Sequence, residues 1–362
     1  VKKHFKIIDK YIIKKFLGTF FYSIILIIAI TIVFDISEKI EDFISKEAPL
    51  SAIIFDYYVN FIPYFVNLFS PLFTFIAVIY FTSRMAYNTE IIAILSSGVS
   101  FNRLLRPYMY AATVITILSL ILNNFIIPPA NAKRLEFENT YIRNAFYFTE
   151  RNVHRQISPG TFVYFESFNN HRNIGYKFTL EKFNENKLTY KLTSEYIRWD
   201  TTVNKWEVEN YFIRYINDMS EKIESGSKKY IEINLSPDEF NRRVDNVETM
   251  NFYELNRFIE EEKYKGSENV VYYEIEKHKR IAMPFATFIL TIIGVAVASR
   301  KVRGGIGLHI GIGLLIAFSY IMFQQVAITF ATNAGLSAMI AMWIPNIIYL
   351  FLGLYLLRIA PK

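Results

Sequence analysis

Glu276, His278 and Arg280, interleaved with Lys277 and Lys279, form the densest group of proton-active and charged side chains in this 362-residue sequence. A carboxylate beside an imidazole is the minimum for acid–base work on a lipid. The alternating cations could instead pair with phosphates on an amphiphilic ligand, or anchor a helix at a membrane interface by snorkelling. Little other chemistry is legible. The chain has no G-x-x-x-x-G-K-[ST] loop, no G-x-S-x-G elbow and no H-E-x-x-H pair. Its five histidines, His4, His154, His171, His278 and His309, are scattered, and there is no cysteine for a disulfide or thiolate metal site. The expectation is no catalytic residue, no metal and no cofactor bound by this chain, so that any ATP-driven work falls to a partner.

The elements that must position these residues are six long apolar segments, at 16–34, 53–81, 108–127, 281–298, 306–330 and 338–357. Each is long enough to cross a bilayer, which takes about 20 helical residues. They split three and three around a polar insert, giving an expected organisation of 1–127 (spans one to three), 128–270 (an extramembrane domain) and 271–362 (spans four to six). The overall 52% of hydrophobic residues averages two solvents.

The net charge of +7 sits beside span ends, which argues against nucleic acid as a partner. Lys2, Lys3, Lys6, Lys10, Lys14 and Lys15 precede span one; Arg84, Arg103 and Arg106 lie between spans two and three. Arg300, Lys301 and Arg303 lie between spans four and five, and Arg358 and Lys362 follow span six. The positive-inside rule makes these segments, and both termini, cytoplasmic and puts the insert on the far side. Span one reads as retained, because no small-residue cleavage site follows it.

Within the insert the period changes to alternation: Tyr176, Phe178 and Leu180 alternate with Lys177, Thr179 and Glu181, and Trp206 and Val208 with Glu207 and Glu209. With runs at 161–165, 188–192, 196–199, 211–216 and 230–233, this predicts seven short strands in a sandwich-like antiparallel domain. Ser236-Pro237-Asp238-Glu239 reads as a helix start, and a helical stretch over 252–263 ends at Gly266 before the chain returns to span four.

Span two carries Asn60, Pro63, Asn67, Ser70 and Pro71, costly in hydrocarbon unless turned toward protein or water. The loop after it spaces Ile91, Ile92, Leu95 and Val99 at helical intervals with Glu90 on the polar side, as a short helix that either docks into a soluble partner or lies on the membrane surface. Glycines 304, 305, 307, 311 and 313 open span five, and Gly307-x-x-x-Gly311 permits close packing within the chain or against a second subunit.

Taken in order, these residues resemble the LptF/LptG permease family of the lipopolysaccharide exporter. The matching text is Asp9-Lys10-Tyr11-Ile12, Pro63 and Pro71, Thr89-Glu90-Ile91-Ile92-Ala93 with Ser97-Gly98-Val99-Ser100, Arg103 and Pro107. It continues through Asn123 and Pro128, Met250 and Leu255, Glu276-x-His278-x-Arg280-x-x-x-Pro284 and Trp343-x-Pro345. Residues 162–166 and 183–186 are more similar to the LptG branch. The resemblance implies a bacterial inner-membrane protein with six transmembrane helices and an inserted all-β, jellyroll-like periplasmic domain. It implies pairing with a second LptF/LptG-type permease around a cavity for lipopolysaccharide, and transfer to LptC-type and LptA-type bridge proteins. It also implies a coupling helix at about 84–100, with Arg84, Glu90, Ile91, Ile92, Leu95 and Gly98, recruiting an LptB-type ATPase dimer that holds the ATP and Mg.

By the same resemblance Gly307 and Gly311 belong to the subunit interface. Lys39 stands at the family's cationic position but among Asp35, Glu38, Glu41 and Asp42, which shifts the expected headgroup contacts toward Lys277, Lys279 and Arg280. Two rival readings remain at this stage: a membrane-anchored scaffold or sensor with a periplasmic β domain, and a lipid-modifying enzyme using Glu276 and His278.

Overall fold

The computed structural model describes residues 6–217, 220–300 and 305–360. Lys2, Lys3, His4, Lys301, Arg303, Gly304 and Lys362, named above, lie outside the described residues. The helices are α1 (Ile7–Ser45), α2 (Leu50–Tyr87), α3 (Glu90–Ser96), α4 (Phe101–Tyr141), α5 (Phe252–Lys265), α6 (Val270–Ala298), α7 (Gly305–Ala334) and α8 (Ala338–Ile359). Six of them, all but α3 and α5, are long and apolar enough to cross a membrane, as expected from the sequence.

The chain divides into two compact units: Val1–Arg143 with Val247–Leu255 and Val271–Lys362, and Asn144–Asn246 with Asn256–Val270. The expected boundary after residue 127 differs from this, because α4 runs on past Pro128 and Pro129. A wide turn at Leu122–Ile126 precedes the prolines, and the Asn124 amide bonds back to the Leu120 carbonyl (2.8 Å).

In the helical unit, the first half of α1 buries one narrow stripe, Asp9, Ile12, Phe16, Phe20 and Ile24, and its far end buries Phe43 against Tyr57 and Phe137. The stripe packs with Ala77, Phe81 and Met85 of α2 and with Leu104, Tyr108 and Ala112 of α4. α6 is the central helix: two-thirds of its most apolar window is covered (67%), against 17% for α1 and 22% for α7. The polar residues of span two are absorbed locally. Asn60 donates to the carbonyls of Phe55 and Asp56 (2.9 Å each) across the wide turn at Ile53–Tyr58, and Asn67 turns inward.

The second unit holds six antiparallel strands, β1 (Arg151–Ser158), β2 (Thr161–Asn169), β3 (Ile174–Asn184), β4 (Lys187–Asp200), β5 (Lys205–Asn217) and β6 (Ser220–Ile231), in the order β1-β2-β3-β4-β5-β6. Every strand pairs with its sequence neighbour, so the described residues form one meander, where a sandwich or jellyroll would have two facing sheets. One face carries the core, including Phe165, Phe178, Leu192, Ile197, Trp206 and Ile213, and Phe240 closes it.

The expected count of seven strands arose because alternation changes phase inside long strands. Asn210 has φ 49° and donates to Glu195 Oε2 (2.9 Å), so the buried set moves from Trp206 and Val208 to Ile213 on β5, and from Leu192 to Ile197 on the facing β4. The runs at 188–192 and 196–199 are one strand, as are those at 206–209 and 211–216. Lys177 (φ 50°) shifts β3 in the same way, leaving Phe178 and Leu180 buried while Tyr176 is outward. The strand β1 had no expectation at all: RNVHRQIS buries only Val153 and Ile157.

Candidate functional site

At one end of the helical unit a polar knot ties together the starts of α1, α3 and α4. Asp9, in the first turn of α1, accepts the Lys6 backbone N–H (3.0 Å) and receives a two-pronged bond from Arg103, Nη1 to Oδ1 at 2.7 Å and Nη2 to Oδ2 at 2.6 Å. Two turns of chemistry are thereby combined: a cap for the exposed N–H groups of α1, and a planar guanidinium matched to a carboxylate. One residue-pair further on, the Tyr11 hydroxyl donates to Glu90 Oε2 (2.9 Å), with the Asn88 amide on Oε1 (3.3 Å).

These bonds hold α3 as a projecting ledge. Thr89 (φ 64°) and Gly98 (φ 85°) reverse the chain on either side, and a residue other than glycine would be strained at the latter. Ile91 is fully buried against the α1 stripe, whereas Ile92 is 48% exposed. The sequence expectation of one helix over 84–100 changes accordingly. Arg84 is exposed on the last turn of α2, the helix itself is Glu90–Ser96, and Ile91 and Ile92 serve opposite faces. Leu95 is half-buried and Gly98 is outward.

Toward the other end, the four expected headgroup cations separate. Lys39 is paired with Asp35 (2.6 Å), bonds the Tyr57 hydroxyl and stands over the Tyr57 ring (4.9 Å), so its charge is already matched. Arg280 is 3% exposed: Nε donates to Glu276 Oε1 (3.1 Å), Nη1 to the Met250 carbonyl (2.7 Å) and Nη2 to the Val247 carbonyl (3.0 Å). It clasps the 247–250 segment onto α6 and does not face a ligand. Lys279 pairs with the same Glu276 (3.3 Å). Lys277 is half-buried and alone of the four has no polar partner among the described residues. Glu276 is held by two cations of its own helix and is not a free carboxylate base beside His278.

Sequence reading missed the group that this cluster rests on. Pro284 has no N–H for the Arg280 carbonyl one turn earlier, and the Asn123 amide caps that carbonyl instead (3.2 Å). Asn123 in turn accepts from Asn67 (2.7 Å), whose own oxygen accepts from Ser119 (2.5 Å). Asn67, Asn123 and Glu276 border a cavity of about 30 Å3, room for one water, into whose lining Asn131 also enters with an unbonded Oδ1. The signal was present as Asn67, Asn123 and the Arg280-x-x-x-Pro284 spacing, but pairing across helices is not readable from one sequence.

Gly307 and Gly311 are exposed, with nothing within 4 Å of where a Cβ would stand. The close approach inside the chain is made by Gly313, whose added Cβ would collide with Ile79, and by Gly294, where one would lie 2.9 Å from Val78.

In the sheet unit, the face opposite the core bears a charged ladder. Arg198 (2.9 Å) and Lys228 (3.1 Å) both meet Glu207, and Lys228 also reaches Glu209 (2.9 Å). The Arg198 guanidinium, then Lys228, holds the Glu207 carboxyl below its ordinary range despite its burial, and the Tyr196 hydroxyl with Lys228 does so for Glu209.

Six membrane-length helices, divided three and three in sequence around a sheet unit, define a multi-pass membrane protein with an inserted β unit. The model of the family described as lipopolysaccharide export system permease LptF/LptG matches residues 10–359, and the chain belongs to that family. It is accordingly an inner-membrane, non-catalytic subunit of lipopolysaccharide export. A comparison with curated proteins found no match.

Proposed function

We propose that this chain is one permease subunit of an ATP-driven exporter that extracts lipopolysaccharide from the inner membrane and passes it to LptC-type and LptA-type bridge proteins. The observation that carries the reading is the family match across nearly the whole chain, at 10–359. Both termini and the α3 ledge are cytoplasmic, and the sheet unit is periplasmic, following the distribution of Lys and Arg at span ends. A second LptF/LptG-type permease and the lipid occupy the open faces of α1 and α7, the least covered spans, with Gly307 and Gly311 at the subunit contact. Lys277 is the cation best placed to meet a lipid phosphate.

The ledge receives an LptB-type ATPase dimer, which supplies ATP and Mg chemistry that this chain does not. Ile92 forms the contact, Glu90 and Arg84 flank it, and Ile91 and Leu95 hold the ledge in place. Ile92→Asp tests this cleanly, since that side chain is already half in water. The expected result is loss of the ATPase on copurification, with lipopolysaccharide retained in the inner membrane; undiminished association would overturn the assignment.

A further inference from the structure

Between α2, α6 and α7 lies a groove of about 420 Å3, within the range of roughly 300–1,000 Å3 common for ligand sites. Its walls are apolar, with Phe69 and Leu72 on one side, Leu290 at the floor, and Ile321 and Ile328 at the mouth. The polar lining is Tyr272, Glu276 and Lys279 from α6, with the buried Gln324 and the exposed Gln325 from α7. The small polar cavity beside Asn67 and Asn123 shares Leu68, Glu276, Lys279 and Met283 with the groove.

Gln324 is the informative residue. It is 6% exposed, yet its carboxamide has no hydrogen-bond partner among the described residues. A buried amide in a bilayer is costly unless it is bonded, and this one opens onto the groove. Lys279 and Gln324 stand at matching depths, about 14 Å and about 15 Å from the Val270 and Ala334 ends of their helices at roughly 1.5 Å per residue. The groove thus has an apolar trough leading to a level where the buried Gln324 amide is unbonded and the Lys279 ammonium is held by Glu276, a carboxylate it shares with Arg280.

We infer that the groove holds one acyl chain of a glycerophospholipid from the surrounding bilayer, with the Gln324 amide donating to that chain's ester carbonyl and the headgroup lying toward Tyr272. A neutral carbonyl suits an unpaired amide. The Lys279 ammonium is held at 3.3 Å by Glu276, so the group left wholly unbonded is the amide, which suits a carbonyl rather than a phosphate. The lipid fills a gap between three spans of one subunit and satisfies Gln324, setting the spacing of α7 against α2. The inference rests on the membrane-spanning architecture alone and not on the export reading.

The test uses the full chain in nanodiscs of phosphatidylethanolamine that include a phosphatidylethanolamine carrying a diazirine in its acyl chain. After irradiation, labelled peptides are mapped by mass spectrometry. Labelling is expected to concentrate on Phe69, Leu72 and Ile328 over Leu315 and Phe351, which are exposed on other faces. Ile321→Trp, at a position 46% exposed and therefore tolerant of the change, should block the mouth and abolish the enrichment. Gln324→Leu, which conserves volume and removes the donor, should lower it roughly fivefold, the worth of about one hydrogen bond. Equal labelling of all faces would show surface lipid only and overturn the inference. So would displacement of the label by added lipopolysaccharide, which would assign the groove to the cargo. Neither outcome touches export itself, which is read by where lipopolysaccharide accumulates on depletion of the chain.

Discussion

The Asp9–Arg103 pair makes a quantitative prediction because its two members are unequally covered. Asp9 is 4% exposed and takes both guanidinium prongs, while the Arg103 side chain is 28% exposed. Arg103→Leu strands a covered carboxylate with one remaining donor, the Lys6 N–H. A fully buried stranded charge costs about 3–5 kcal/mol. Asp9 is shielded only by its nearest neighbours at a helix start, so about 2–3 kcal/mol is the appropriate figure, near the range for charge-assisted bonds. Asp9→Leu instead leaves a guanidinium that can turn to water, costing about 1 kcal/mol for the lost contact and helix cap. The double variant should recover part of the Arg103→Leu loss, since the stranded charge is gone. Denaturant unfolding of the full chain in micelles, followed by helical ellipticity, measures all three. If Asp9→Leu proves as damaging as Arg103→Leu, or the double variant is worse than the sum, the burial argument is wrong.

Three further outcomes follow from contacts described above. Arg280→Met removes three donors from a side chain that is 3% exposed and should cost about 3–5 kcal/mol, with limited proteolysis opening near 247–250; an intact segment would refute the clasp. Gly313→Leu should destabilise the isolated subunit through Ile79, whereas Gly311→Leu should leave its melting temperature unchanged and reduce only copurification of a second permease; the reverse pattern would move the seam inside the chain. Because Glu207 and Glu209 have lowered pKa values in the folded sheet, their contribution is present above the unfolded carboxylate value of about 4.3 and is lost as pH falls through the folded values. Tryptophan fluorescence should show the sheet unit weakening below about pH 4.3, and Glu207→Gln should flatten that dependence.

The architecture was legible because the bilayer imposes length: windows at 16–34 or 281–298 have few other uses, and the structure places a helix at each. The existence of β2 to β5 was legible from alternation, whereas β1 was not and β6 only at its last residues, and strand identity was lost wherever one residue with positive φ, Asn210 or Lys177, moved the buried set by one position. Helix α4 outran its expected end because the chain stays helical through a wide turn at Leu122–Ile126 and the prolines stand at the start of the following turn. At the candidate sites, residue type alone could not separate a waiting cation from one already spent: Arg280 and Lys279 both answer to Glu276 three and four residues earlier, a spacing visible in the sequence. Asp35 likewise precedes Lys39 by four. The contacts that define the polar knot, Tyr11 with Glu90 and Asp9 with Arg103, join residues 79 and 94 positions apart, and only the fold brings them together.

The central claim is that this chain is half of a lipid-conducting pair driven by a separate motor. Native mass spectrometry of the assembly, extracted gently from its own membrane, tests it most directly. The expected mass comprises this chain, a second permease of the same family, two ATPase subunits and bound lipopolysaccharide; a chain that emerges alone, with neither companion nor lipid, would contradict the account.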